Sequence, residues 1–112
     1  MKSLRNSVHL IGNLGKDPEV KVFDKSQKAT FSLATTDSYR NAKGETVKDT
    51  QWHNLIIWGK LADVAGKFLK KGSQVAIEGK LIHRVYETGS GEKKYITEIN
   101  VNDFVMLDPR KS

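Results

Sequence analysis

The chain has 112 residues, 38% hydrophobic and 29% charged, which corresponds to one ordinary globular domain, 1–112, rather than a disordered or membrane-spanning chain. It contains no cysteine, so disulfides and thiolate metal sites are excluded, and it lacks the apolar N-terminal stretch of a signal peptide. Both features predict a cytoplasmic protein with no membrane partner. The net charge of +6 favours a polyanionic partner, because a positive field attracts phosphates.

Alternating apolar residues predict two strands in the first part of the chain. The first covers 8–14, and a short apolar piece at 20–23 leads into the second at 29–36. The polar stretch 38–50, with its scattered charges, is predicted to be a long loop.

A third strand is predicted at 51–58, and its two faces differ. One face carries Trp52, Asn54, Ile56 and Trp58, and the other carries His53, Leu55 and Ile57. The second set already supplies the apolar surface that a small barrel needs inside. We therefore expect the two tryptophans to face outward.

The second half of the chain begins with a change of period. Apolar residues at helical spacing predict a helix of about three turns at 61–69, which Gly72 would end. Alternation returns at 73–87, a Gly-Ser-Gly loop follows at 88–94, and 95–107 closes the chain as a bent strand.

This order of elements predicts an all-β protein with an OB-fold. An OB-fold is a five-stranded Greek-key barrel that commonly binds oligonucleotides, and here the one α-helix would lie between strands 3 and 4. Small barrels of other topology share the same order, so other residues must support the assignment.

Catalytic chemistry has little support in the sequence. The three histidines lie on separate predicted strands without a carboxylate at ligand spacing, and the acidic residues are scattered. The segment 12–16 superficially resembles a phosphate-binding loop but lacks its spacing, and its glycines are predicted to allow a strand bend or a tight turn. We expect no catalytic residue, metal or cofactor.

Aromatic and basic residues occur together. Besides the two tryptophans, Tyr39 and Tyr86 stand in segments that also contain Arg40 and Arg84. Such rings are commonly core packing. Exposed rings interleaved with cations are, however, what a single-strand binder requires, because every base offers a stacking face and every nucleotide a phosphate.

Several separated segments resemble the bacterial single-stranded DNA-binding proteins, and together they cover about 6–107. The resemblance lies in 8–20 (VHLIGNLGKDPEV), 31–35 (FSLAT), 52–62 (WHNLIIWGKLA), 70–75 (KKGSQV) and 77–79 (IEG). It implies an OB-fold that assembles as a homotetramer, with single-stranded DNA wrapped around the subunits during replication, recombination and repair. Such a protein would be associated with the nucleoid.

The resemblance also implies roles for individual residues. His53 matches a histidine at the subunit interface of the family. The positions of base-stacking rings are Tyr39, Trp52, Trp58 and Tyr86, and those of phosphate-binding cations are Arg40, Lys60, Lys71, Arg84 and Lys94. The family most often has tryptophan in place of Tyr39 and Tyr86, and phenylalanine in place of Trp58.

Family members usually continue into a flexible tail with an acidic tip that recruits replication and repair enzymes. This sequence stops at 108–112, which contains Arg110 and Lys111. We therefore expect this form not to recruit those enzymes, because the terminal charge has the wrong sign.

Three other functions remain open at this point. The chain could be a general oligonucleotide-binding OB module, including an RNA binder. It could be a nuclease built on an OB barrel, or an interaction protein that binds no nucleic acid. DNA-against-RNA competition, a cleavage assay with magnesium or calcium, and tryptophan fluorescence separate these alternatives.

Overall fold

The computed structural model describes residues 4–107, which form six β-strands and one α-helix. The elements are β1 (Val8–Leu14), β2 (Glu19–Val22), β3 (Gln27–Arg40), β4 (Thr46–Trp58), α1 (Lys60–Phe68), β5 (Gln74–Glu87) and β6 (Lys93–Met106). Arg110 and Lys111, on which the expectation about enzyme recruitment depends, lie outside the described residues.

Five of the strands close into a barrel. Their order is β1-β5-β6-β4-β3, and a contact of Asn13 and Leu14 with β3 completes the ring. The pairs are antiparallel except β4 and β6, which run parallel. This arrangement confirms the predicted all-β OB-fold.

The short strand β2 is an addition to the predicted elements. It arises from the apolar piece at 20–23 and pairs with β3 outside the barrel ring, from Glu19 opposite Thr30 to Val22 opposite Gln27. In chain order α1 therefore lies between β4 and β5. Counted among the five barrel strands, it still lies between the third and the fourth, as predicted.

The core lies inside the barrel and under α1. Leu33, Leu55, Ile57 and Val75 are fully buried, because alternate residues of each strand point inward. Ala62 and Ala65 of α1 are buried against this cluster. At nine residues, α1 is too short to cross a bilayer, and residues 4–107 contain no helix that could.

The predicted long loop at 38–50 is wrong. β3 and β4 stay paired as far as Arg40 and Thr46, so most of this segment is a two-stranded arm. The side chain of Asn41 closes its turn by accepting hydrogen bonds from the backbone N–H groups of Lys43 and Glu45, both 3.0 Å long. The arm protrudes from the barrel with no buried face, and its strands therefore lack apolar alternation.

Candidate nucleic-acid interface

The outer face of β4 carries two exposed tryptophans. Trp52 is 62% and Trp58 48% exposed, whereas Leu55 and Ile57 on the inner face are buried. The predicted outward orientation is confirmed. Ile56 alternates with the tryptophans but is buried, so the exposed aromatic surface is interrupted between them.

Trp52 lies against Gly15, just after β1. A Cβ atom at Gly15 would come within 2.5 Å of Cζ3 of Trp52, closer than non-bonded carbon atoms approach. Gly12 likewise leaves room for the carbonyl of Ala34. The chain bends at Gly15 as predicted, whereas Gly12 lies within β1, and neither glycine has a positive φ. Both allow close approach of neighbouring groups.

Trp58 belongs to a small cluster with Phe23 and Lys28. The ring centroids of Trp58 and Phe23 are 6.3 Å apart and their planes differ by 28°. The ammonium nitrogen of Lys28 lies 5.5 Å from the centroid of Trp58. This cluster could not be predicted from the sequence, because the position of Lys28 opposite Trp58 depends on the register of β3 and β4.

Tyr39 and Tyr86 are also exposed, at 55% and 52%. The ends of β5 and β6 form a second two-stranded arm, in which 83–87 pairs with 93–97. Tyr86 lies directly opposite Lys94 on this β5–β6 arm, so a ring and a cation lie side by side there. Tyr39 is opposite Val47, and its position in the alternation places it on the other face of its arm from Trp52. The structure therefore does not bring Tyr39 together with the tryptophans. Tyr95, which is 77% exposed, was not predicted as a site residue.

Arg84 is held by Glu98, a residue that sequence analysis also missed. Its Nε donates to Oε1 at 2.7 Å and its Nη2 to Oε2 at 2.9 Å. Glu98 is buried, with 8% of its surface exposed. Hydrogen bonding to Glu98, followed by attraction to its charge, raises the pKa of Arg84 above its usual value. A phosphate must therefore compete with a carboxylate for this guanidinium.

Glu98→Gln is expected to release Arg84 and to strengthen oligonucleotide binding about two- to fivefold, corresponding to about 0.5–1 kcal/mol for an ion pair whose Arg84 side is open to solvent. Asp63→Asn is the matched control, since it frees Lys67 on α1 with the same change in net charge. Unchanged affinity in a folded Glu98→Gln variant would show that Arg84 does not contact phosphate.

The other predicted cations lie on separate elements, and all are exposed. Arg40 ends β3 and Lys60 begins α1. Lys71 lies in the turn before β5, where its backbone N–H donates to Oδ1 of Asp17 at 2.7 Å. Lys94 forms a loose ion pair with Glu92, 3.6 Å long. These positions surround the barrel strands rather than forming one cluster.

His53 lies on the inner face of β4 and is half-buried. Its Nε2 is hydrogen-bonded to Oγ1 of Thr35 across β3, at 3.0 Å. Within 4–107, no three His, Cys, Asp or Glu side chains are grouped closely enough to hold a metal ion.

Comparison with known sequences identifies a family over nearly the whole chain. Residues 5–107 match the sequence profile of the Single-strand binding protein family. A protein of Chlorobaculum tepidum named Single-stranded DNA-binding protein 1 is 43% identical over 96% of this chain and 67% of its own length. The single-stranded DNA-binding protein of Bacteroides thetaiotaomicron is 46% identical over 94% of this chain and 67% of its own length.

Solved structures show the same likeness. A Plasmodium falciparum SSB in complex with single-stranded DNA superimposes with a TM-score of 0.84 at 34% identity, covering 96% of this chain and 98% of that one. A deletion mutant of the single-stranded DNA-binding protein from Thermus aquaticus has a TM-score of 0.79 at 27% identity, covering 94% of this chain and 51% of that one.

Proposed function

This chain belongs to the Single-strand binding protein family, and we propose that it binds and protects single-stranded DNA without sequence preference. The observation that carries the proposal is the exposed tryptophan pair on β4, in a chain whose net charge is +6. Membership of the family supports a role in replication, recombination and repair, at the nucleoid in the cytoplasm.

Binding follows from two complementary interactions. Bases stack on Trp52 and Trp58, and further bases on Tyr39 and Tyr86 at the two arms. Stacking tolerates any sequence, because all four bases present a π-face. Phosphates contact the exposed cations Arg40, Lys60, Lys71 and Lys94, and Arg84 once it leaves Glu98.

The proposal describes a binding protein and not an enzyme. Its action is to hold the strand and cover its bases, and no bond is made or broken. A nuclease would instead cleave labelled single-stranded DNA in the presence of magnesium or calcium. Cleavage by the purified protein would contradict the proposal.

Tryptophan fluorescence is the direct test. Titration with a thymidine oligonucleotide should quench the emission, because bases stack on both exposed indoles. A ribose oligonucleotide of matching sequence serves as competitor, since the 2′-hydroxyl is what distinguishes RNA from DNA. Unchanged fluorescence together with no change in the anisotropy of a labelled oligonucleotide would overturn the proposal, and tighter binding of the ribose strand would favour the RNA-binding alternative.

We further propose a homotetramer with His53 at or near a subunit contact. His53 is half-buried, and His53→Tyr would introduce a larger ring at this position. The substitution should shift the assembly toward smaller species, because overpacking destabilises a packed contact by about 1–3 kcal/mol. Light scattering at low micromolar concentration measures the mass. Thr35→Val, which removes only the hydrogen-bond partner of His53, is the control for effects inside one subunit. An unchanged mass for a folded His53→Tyr variant would contradict the placement of His53.

A further inference from the structure

The turn between β2 and β3 holds Phe23 beside Trp58. The backbone N–H of Phe23 donates to the carbonyl of Ser26 at 2.7 Å, which closes the turn. Phe23 is 46% exposed even though its ring stacks near Trp58. The aromatic surface of Trp58 thus continues beyond β4 onto a second ring that remains open to solvent.

Positive charge accompanies this pair of rings. The ammonium nitrogen of Lys28 lies 5.9 Å from the centroid of Phe23 and 5.5 Å from that of Trp58. At such distances a cation is attracted to the face of an aromatic ring. Lys28 therefore places a positive charge next to both rings, which would attract the phosphate of a nucleotide bound beside them.

A cleft of about 380 Å³ opens next to Phe23. This volume is at the lower end of the range for small-ligand sites. Two lysines and one aromatic ring are among the residues that line it, which are Val22, Phe23, Lys25, Ser26, Gln27, Gly59 and Lys60.

The chemistry of this lining selects a nucleotide over simpler ligands. A free anion would use the lysines but not the ring, and an apolar group would use the ring but leave the lysines without a partner. A nucleotide uses both, because its base stacks and its phosphate is negative. Asp24 adjoins Phe23 and Lys25 in a neighbouring depression, but the cations around the ring outnumber it.

Resting on the proposed function, we propose that Phe23 is a further base-stacking position of this chain. The cleft receives the nucleotide that follows the one stacked on Trp58. Its base lies on the exposed side of Phe23, and its phosphate contacts Lys25 or Lys60. The single-stranded DNA path therefore extends from β4 over the β2–β3 turn.

Phe23→Ala is the first test, read by the anisotropy of a labelled thymidine oligonucleotide. Loss of one stacked base should weaken binding by about fivefold or more. Phe23→Leu, which keeps the apolar bulk without an aromatic face, should show a similar loss, and Phe23→Tyr should stay within about twofold. The matched control is Phe68→Ala, a 60% exposed phenylalanine on α1, which should bind like the unmodified protein.

A double-mutant cycle with Trp58 separates base contact from support of the neighbouring ring. If Phe23 holds its own base, Phe23→Ala should still weaken binding by about threefold or more in the Trp58→Ala background. If it adds no loss there, Phe23 only positions Trp58 and the inference is wrong. Full affinity of folded Phe23→Ala and Phe23→Leu variants would also overturn it while leaving the proposed function intact. Failure of the unmodified protein to bind the oligonucleotide would instead remove the proposed function.

Discussion

Replacement of Trp52 or Trp58 by alanine is expected to weaken single-stranded DNA binding about five- to more than a hundredfold. The expectation rests on stacking energies of roughly 1–3 kcal/mol per base. Trp52 is 62% and Trp58 48% exposed, so a substantial part of each side chain is accessible to a base. Anisotropy of a labelled thymidine oligonucleotide measures the change. Trp52→Phe and Trp58→Phe should be much milder, because an aromatic face survives.

Thermal melting provides the control for this result. If the rings formed part of the core, their truncation to alanine would reduce the folding free energy by about 3–5 kcal/mol, and the variants would melt at a lower temperature. The surface position of Trp52 and Trp58 predicts melting close to that of the unmodified protein. A variant that melts early yet binds normally once folded would show that the rings serve packing rather than recognition.

Salt should weaken binding by about a hundredfold between roughly 50 and 200 mM. Each single-strand phosphate that is neutralised contributes about −0.7 to the slope of log affinity against log salt. Contacts from Arg40, Lys60, Lys71, Arg84 and Lys94 of one chain therefore give a slope of about −3.5. Lys60→Gln should reduce the slope by about 0.7.

The matched comparison is Lys67→Gln, which removes a cation already paired with Asp63 on α1. It should leave the slope unchanged, although it alters the net charge as much as Lys60→Gln does. A flat salt response of the unmodified protein would contradict the electrostatic part of the binding scheme. An equal change in slope for both variants would show that net charge matters and that the position of Lys60 does not.

The barrel strands, α1 and the outward tryptophans could be predicted because each depends on a local period. Alternation along 51–58 separates Leu55 and Ile57 from Trp52 and Trp58 without knowledge of any partner strand. The change to helical spacing marks α1 in the same way. A strand or helix with one buried face has apolar residues at its own structural period, so the element can be recognised from the sequence.

The same reasoning explains the error at the β3–β4 arm. The β3–β4 arm has no buried face, so its strands carry no alternation and were predicted as a loop. Its pairing depends instead on the backbone ladder and on contacts such as the 3.2 Å hydrogen bond between the hydroxyls of Thr36 and Thr50. The strand β2 is similarly short and exposed, and only its pairing with β3 defines it.

Details of the site depend on register between residues far apart in the chain. Whether Arg84 is free for phosphate depends on the β5–β6 register, which places it opposite Ile96 and so within reach of Glu98, two residues further along β6. Whether Trp58 has a neighbouring ring depends on where the β2–β3 turn places Phe23. A shift of one residue in the β5–β6 or the β2–β3 pairing would move the side chains of the shifted strand to the other face of the sheet. Residue types and local periods therefore define which groups can bind a strand of DNA, whereas the cross-strand register defines which of them are available to do so.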